Sequence, residues 1–156
     1  VIDEKAFDSI TSYIKRAAKN KKNTILAGGT FSKRKGYFIA PTLIETKDAR
    51  SLTMCEEIFG PVLTLYVYPA GEFDRALQLV DTTSPYALTG SVIARDRAAI
   101  EKATRALRDS AGNFYINTPP PLAVACNPLS ARCGSIFYTR PMSSPPSATI
   151  CSHPWS

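Results

Sequence analysis

Val62-Leu63-Thr64-Leu65-Tyr66-Val67-Tyr68 is the stretch on which the fold turns. It has no charge, Gly or Pro, and it begins directly after Gly60-Pro61. A short run rich in β-branched and aromatic residues, bounded by a turn signal, predicts a strand. Its near-continuous apolar character suits burial on both faces, as in a parallel sheet covered by helices. On the C-terminal side, Phe73, Ala76, Leu77 and Val80 recur at helical spacing. Leu88 to Ala94 predicts another strand. Asp96 then caps a helix with Ile100, Ala103 and Leu107 on its inner face, and Phe114-Tyr115-Ile116 forms a last short strand. Strands alternating with helices in this way predict βαβ units, hence an α/β fold with a parallel sheet and flanking helices.

On the N-terminal side, Asp3 is a good N-cap, and Ile2 can pack on Phe7 as a hydrophobic staple. Phe7, Ile10, Ile14 and Ala17 mark an amphipathic helix over roughly Glu4–Lys19. Thr24-Ile25-Leu26-Ala27 reads as a strand stopped by Gly28-Gly29, a pair that suits a turn better than a phosphate cradle. Tyr37-Phe38-Ile39 and Leu43-Ile44 flank Pro41, so this stretch is extended but at an edge or with an irregularity. A chain that opens on a helix is expected to complete a sheet whose earlier strands lie upstream. Val1-Ile2-Asp3-Glu4 reads as the middle of a longer chain.

Composition changes abruptly near residue 118. Residues 1–117 hold all 13 acidic residues and 17 of the 19 basic ones. Residues 118–156 contain no Asp, Glu or Lys, yet they carry eight of the twelve prolines. Their apolar residues follow neither helical nor strand period, and the prolines argue against a continuous helix or a central strand. Two regions are therefore expected: an ordered α/β part over 1–117, and a divergent, mostly irregular Pro/Ser-rich tail over 118–156.

The net charge of +6 raises a nucleic-acid reading. The basic residues cluster at Lys15 to Lys22 and at Lys33-Arg34-Lys35, and neither cluster is interleaved with the aromatics of a base-stacking platform. A solvated helix end and a loop account for them, and no nucleic-acid partner is expected. No run of about 18 apolar residues occurs, so no membrane-spanning helix is expected. The four cysteines (Cys55, Cys126, Cys133, Cys151) show no C-x-x-C spacing, and the single histidine is His153. Neither a metal site nor a disulfide framework is expected from this pattern.

The one unusual constellation is Glu56-Glu57-Ile58-Phe59-Gly60-Pro61. It has two readings. In the first it is an exposed loop with two solvated acids and one buried ring. In the second, a carboxylate accepts hydrogen bonds from a pair of hydroxyls, as on a ribose, and charge strengthens both bonds. The nearby aromatic then packs beside a flat heterocycle, and the Gly-Pro turn fixes the backbone.

With Val62 this run resembles the E-E-I-F-G-P-V signature of the aldehyde dehydrogenase superfamily. Three further segments resemble that family in order. They are Gly36-Tyr37-Phe38-Ile39-Ala40-Pro41-Thr42-Leu43, then Tyr86-Ala87-Leu88-Thr89-Gly90-Ser91-Val92 with Ala87 for the usual Gly, and Ala111-Gly112-Asn113-Phe114-Tyr115-Ile116-Asn117. Local similarity is greatest to the Δ1-pyrroline-5-carboxylate dehydrogenases, which oxidise glutamate γ-semialdehyde to glutamate with NAD in proline breakdown. The resemblance implies part of a catalytic domain. It implies that Glu57 binds the nicotinamide ribose hydroxyls, that Phe59 lies beside the nicotinamide, and that Glu56 is a more structural neighbour. The family mechanism uses a cysteine thiolate to form a thiohemiacetal that gives hydride to NAD, and a glutamate base to hydrolyse the resulting thioester.

By the same resemblance, the nucleophilic cysteine, the general-base glutamate and the dinucleotide-binding domain lie N-terminal to this region. Cys55 does not match the nucleophile, so the chain has no catalytic residue to assign and is expected to be inactive alone. The small-molecule aldehyde, NAD, homo-oligomerisation and a mitochondrial matrix location belong to the full-length family. The alternative is a non-catalytic truncated isoform that acts by interaction with full-length subunits. After Asn117 the family's P-F-G-G loop and oligomerising strand do not follow, as when a GC-rich frame is read out of register. A frameshift, retained intron or alternative exon near residue 118 is therefore expected. Translating the encoding DNA past that point in the other two frames should reveal a P-F-G-G-like run; finding none in either frame counts against the idea.

Overall fold

Asp3 opens the first helix, α1 (Glu4–Lys19), with its carboxylate accepting the Ala6 amide at 2.7 Å. The computed structural model describes residues 1–85 and 89–117, and beyond them the backbone of two strands, 134–138 and 148–153. β1 (Asn23–Ala27), β2 (Phe31–Ser32), β3 (Phe38–Ile39) and β4 (Thr42–Thr46) follow α1. The one-turn helix α2 (Leu52–Cys55) precedes β5 (Val62–Tyr68). Then come α3 (Phe73–Thr83), β6 (Thr89–Ile93), α4 (Arg97–Ala106), which Asp96 caps through the Ala98 amide, and β7 (Asn113–Ile116). The last two strands are β8 (Gly134–Tyr138) and β9 (Ala148–His153).

Seven strands form one sheet in the order β1-β4-β5-β9-β8-β6-β7, while β2 and β3 make a separate ladder. β4 runs parallel to β5, and β6 runs parallel to both β7 and β8. β9 is antiparallel to its neighbours β5 and β8, so β4, β5, β6 and β7 all point the same way. The expected α/β architecture with parallel strands and flanking helices is present. β1 departs from it as an antiparallel edge on β4, with an irregular register between Ile25 and Ala27.

The core has two parts. Ile10, Ile14 and Ala17 of α1 pack with Ile44, Ile58 and Val62. Ala76 and Leu77 of α3, with Ala103 and Leu107, pack with Tyr68 and Val92 and draw in Tyr66. Val62, Tyr66 and Tyr68 share one face of β5, because side chains alternate along a strand. Both groups of helices therefore cover the same face. On the other face Leu63 and Leu65 are half-buried and Val67 is 39% exposed. The expected burial of β5 on both faces is thus not met among the described residues: no described helix packs on the second face.

Two strands also stand inside the segment expected to be mostly irregular. The eight prolines of residues 118–156 all fall outside 134–138 and 148–153. Proline cannot donate to a sheet ladder, so here it bounds central strands rather than preventing them.

The basic clusters find partners within the chain. Lys33 pairs with Glu4 at 2.9 Å and Asp8 at 2.7 Å, and its ammonium lies 5.1 Å from the Phe7 ring centre. Lys15 lies 5.2 Å over Phe31, which meets Phe7 edge-on. The aromatics absent from these clusters in sequence are thus brought to them by folding, and the contacts stitch the β2–β3 ladder to α1.

Lys22 pairs with Asp48 at 2.9 Å. The Lys22 ammonium, and then the Arg50 amide, hold the Asp48 carboxyl below its usual 3.8. A carboxyl depressed by folding adds stability that is complete above the unfolded value and disappears as pH falls through the folded one. Asp48→Asn should cost at most about 1 kcal/mol at neutral pH, because Lys22 is exposed and Asp48 only half-buried. Urea unfolding should show the gap between variant and parent closing below the ordinary aspartate range. A gap unchanged at acid pH would mean that charge is not its source.

Candidate functional site

The loop 56–61 joins α2 to β5 and is fixed at both ends. The Glu56 amide donates to the Leu52 carbonyl at 3.0 Å, closing α2, and Ser84 Oγ donates to the Cys55 carbonyl at 3.2 Å. At the other end the Thr42 amide donates to the Pro61 carbonyl at 2.8 Å, tying the loop to β4. Between these anchors the chain turns tightly: the Gly60 amide donates to the Ile58 carbonyl, and the Val62 amide to the Gly60 carbonyl, both at 2.8 Å.

Ile58 is the buried residue of the loop, 4% exposed within the α1 part of the core. Gly60 lies directly under α1: a Cβ there would stand 2.5 Å from Cδ1 of Ile10. With Ile58 turned inward, its neighbours face outward. Phe59 is 49% exposed, Glu57 is half-buried and held by an interaction within the fold, and Glu56 is exposed. The ring is not the buried member of the loop, which removes the reading of two solvated acids around a buried aromatic. The apolar anchor is Ile58, and sequence gave it no such role. A half-buried carboxylate and an open aromatic face on a pinned backbone suit a ligand with adjacent hydroxyls and a flat ring.

Cys55 adjoins this loop. Burial, the largest influence, pushes its thiol up, and the nearby Arg50 opposes this only in part. A thiol kept protonated is a poor nucleophile. Gly28 and Gly29 link β1 to β2 with φ +76° and +79°, and a Cβ at Gly28 would fall 2.0 Å from the Pro41 carbonyl oxygen. The Gly29 amide donates to Thr42 Oγ1 at 3.0 Å. Among the described residues, no group of three His, Cys, Asp or Glu side chains is gathered to hold a metal, and no helix is long and apolar enough to cross a membrane.

Asn117 has a structural role that its sequence position did not reveal. It adopts φ +54°, its amide donates to the Val92 carbonyl at 2.8 Å, and its side-chain oxygen accepts the Ala94 amide at 2.8 Å. It thereby locks the end of β7 onto β6. Asn tolerates the left-handed region better than most side chains, and that tolerance was the only available signal.

Residues 1–132 match the aldehyde dehydrogenase family. Over 117 residues the chain is 50% identical to the mitochondrial Δ1-pyrroline-5-carboxylate dehydrogenase of Danio rerio, a match covering 75% of this chain and 21% of that protein. The mitochondrial enzyme of the same name from Dictyostelium discoideum is 49% identical over the same length. The crystal structure of the Mycobacterium tuberculosis Δ-pyrroline-5-carboxylate dehydrogenase bound with NAD superimposes with a TM-score of 0.69 at 40% identity, covering 78% of this chain and 21% of that one. Lactaldehyde dehydrogenase from Escherichia coli gives a TM-score of 0.68 at 28% identity, covering 78% and 24%. The chain thus spans about a fifth of the length of the curated relatives it matches.

The contact of Gly60 with Ile10 is directly testable. Gly60→Ala should destabilise the fold by about 1–3 kcal/mol through overpacking. Ile10→Ala, which removes the three atoms nearest that position, should make the same glycine substitution much cheaper. A double-mutant cycle by chemical denaturation reads the coupling, and strictly additive effects would show that α1 does not dictate glycine here.

Proposed function

The chain belongs to the aldehyde dehydrogenase family, and from that membership we propose that residues 1–117 are part of the catalytic domain of an NAD-dependent Δ1-pyrroline-5-carboxylate dehydrogenase. The whole enzyme's reaction is then oxidation of L-glutamate γ-semialdehyde to glutamate in proline catabolism, in the mitochondrial matrix. The observation that carries this reading is the identity of about half across 117 residues with proteins of that name. Several of them are named as mitochondrial.

In this reading the chain supplies one corner of the cofactor site. NAD, when bound, is the hydride acceptor. Glu57 accepts from the hydroxyls of the nicotinamide ribose and so fixes the rotation of that sugar. Phe59 offers its exposed ring beside the nicotinamide and excludes water from one side of it. Ile58 and Gly60 hold both residues in place through α1. The fit is confined to that corner: Gly28 lies against the Pro41 carbonyl and the Gly29 amide donates to Thr42 Oγ1, which argues against a pyrophosphate cradle there. The catalytic nucleophile and base are proposed to come from a part of the protein outside these 156 residues, as is the dinucleotide-binding domain. This chain alone is therefore proposed to be inactive.

Purified chain supplied with NAD and glutamate γ-semialdehyde should show no NADH formation above buffer; measurable turnover would overturn the claim of inactivity. In the longer enzyme, Glu57→Gln should weaken NAD use by about 10–100-fold, the loss expected when a charged acceptor becomes neutral. An unchanged KM for NAD together with an unchanged kcat would remove Glu57 from the cofactor site.

A further inference from the structure

The two halves of the sheet are joined by strands that lie outside the family match. β1-β4-β5 and β6-β7 belong to the part of the chain that resembles its relatives, which ends at residue 132. β8 and β9 begin after it, at residues 134 and 148, yet they occupy the two positions between β5 and β6. β5 pairs with β9 over Thr64–Tyr68, and β6 pairs with β8 over Thr89–Ile93; β5 and β6 do not pair with each other. Three inter-strand steps of about 4.8 Å separate them, a gap of about 14 Å. The family match stops before these two strands, so the part of the chain shared with its relatives does not itself supply them.

We propose that β8 and β9, residues 134–138 and 148–153, are internal strand donors. Their antiparallel pair plugs a two-strand slot between β5 and β6 that the family-matching part of the chain leaves open. The chemistry of the slot is that of two facing strand edges, each presenting a row of unpaired amides and carbonyls, so it takes an extended backbone pair and little else. The register supports a plug rather than a loose cover: β9 and β8 pair along five residues with each other as well as five with β5 and β6. Neither strand contains a proline, so each residue of both can donate to a ladder. With the plug in place the chain closes its own sheet; without it, the edges of β5 and β6 are free to recruit strands from a second copy.

The test uses the full chain. Leu65 and Cys151 are register partners in the β5–β9 pair, and antiparallel partners lie within the span of a disulfide. With Cys126 and Cys133 changed to Ser, Leu65→Cys should cross-link to Cys151 within one chain under mild oxidation, as read by peptide mass spectrometry. Leu26→Cys on the far edge strand is the control and should not. An absent link, or one formed only between two chains, overturns the proposal. A second measurement does not rely on that variant. Ile136→Pro with Ile150→Pro removes a ladder donor from each donor strand. It should speed amide exchange across β5 by at least about tenfold and shift the chain from monomer to dimer or larger in light scattering, while Ala123→Pro should do neither. If the double-proline chain keeps both its mass and the protection of β5, the slot is not filled by this segment.

Discussion

The approach of α1 to the loop before β5 is the contact from which the rest of the structure follows. Ile10 sits so close to Gly60 that no Cβ fits between them, and Ile58 drops into the same apolar cluster with Ile14, Ile44 and Val62. These contacts place α1 against β4 and β5 together. They also turn the loop inside out relative to a simple amphipathic reading, with the aliphatic residue inward and the acid and aromatic on either side facing out. Exposing a phenylalanine has no stabilising value of its own, and here it follows from burying its neighbour. The exposed ring is thus a by-product of packing that a flat ligand can use.

This arrangement separates what could be read from sequence from what could not. The period of Phe7, Ile10, Ile14 and Ala17 marked α1 because a surface helix must turn one stripe inward. The caps Asp3 and Asp96 were legible because orphan helix amides need a side-chain acceptor. β5 stood out by composition. The roles of Ile58 and Gly60 did not, since a close approach depends on what a distant helix brings to the spot. Glu57 and Phe59 were singled out as cofactor contacts only through a resemblance spread over four motifs; as bare residue types they fit a solvated loop equally well. β8 and β9 escaped notice because proline content was averaged over the whole tail, whereas sheet formation responds to where each proline falls.

The direction of the strands adds a further constraint. β4, β5, β6 and β7 point the same way, and open α/β sheets generally bind ligands beyond the carboxyl ends of such strands. The loop with Glu57 and Phe59 enters β5 at its amino end. The proposal of a cofactor there therefore rests on residue types, exposure and anchoring, together with membership of a family whose solved structures include an NAD complex. The carboxyl ends hold other things: Asn117 locks β7 to β6 there, a task of strand registry and not of chemistry.

One face of β5 remains thinly covered, and this bears on why a strand plug matters. The sequence of β5 is apolar on both sides, yet α1, α3 and α4 all contribute to the same side, leaving Leu63 and Leu65 half-buried and Val67 exposed. A strand written for double burial but covered once is held in place mainly by its lateral hydrogen bonds. β4 supplies one row of these and β9 the other. If β9 were withdrawn, β5 would lose half its ladder while gaining no cover for its second face. The edge would then combine unpaired backbone with apolar side chains, the combination that most favours association between chains. The integrity of the proposed cofactor corner depends on the same strand, since Glu57 and Phe59 hang from the loop that β5 anchors. Closing the sheet and presenting the corner are therefore one structural problem, and lateral pairing of β5 is the term that decides it.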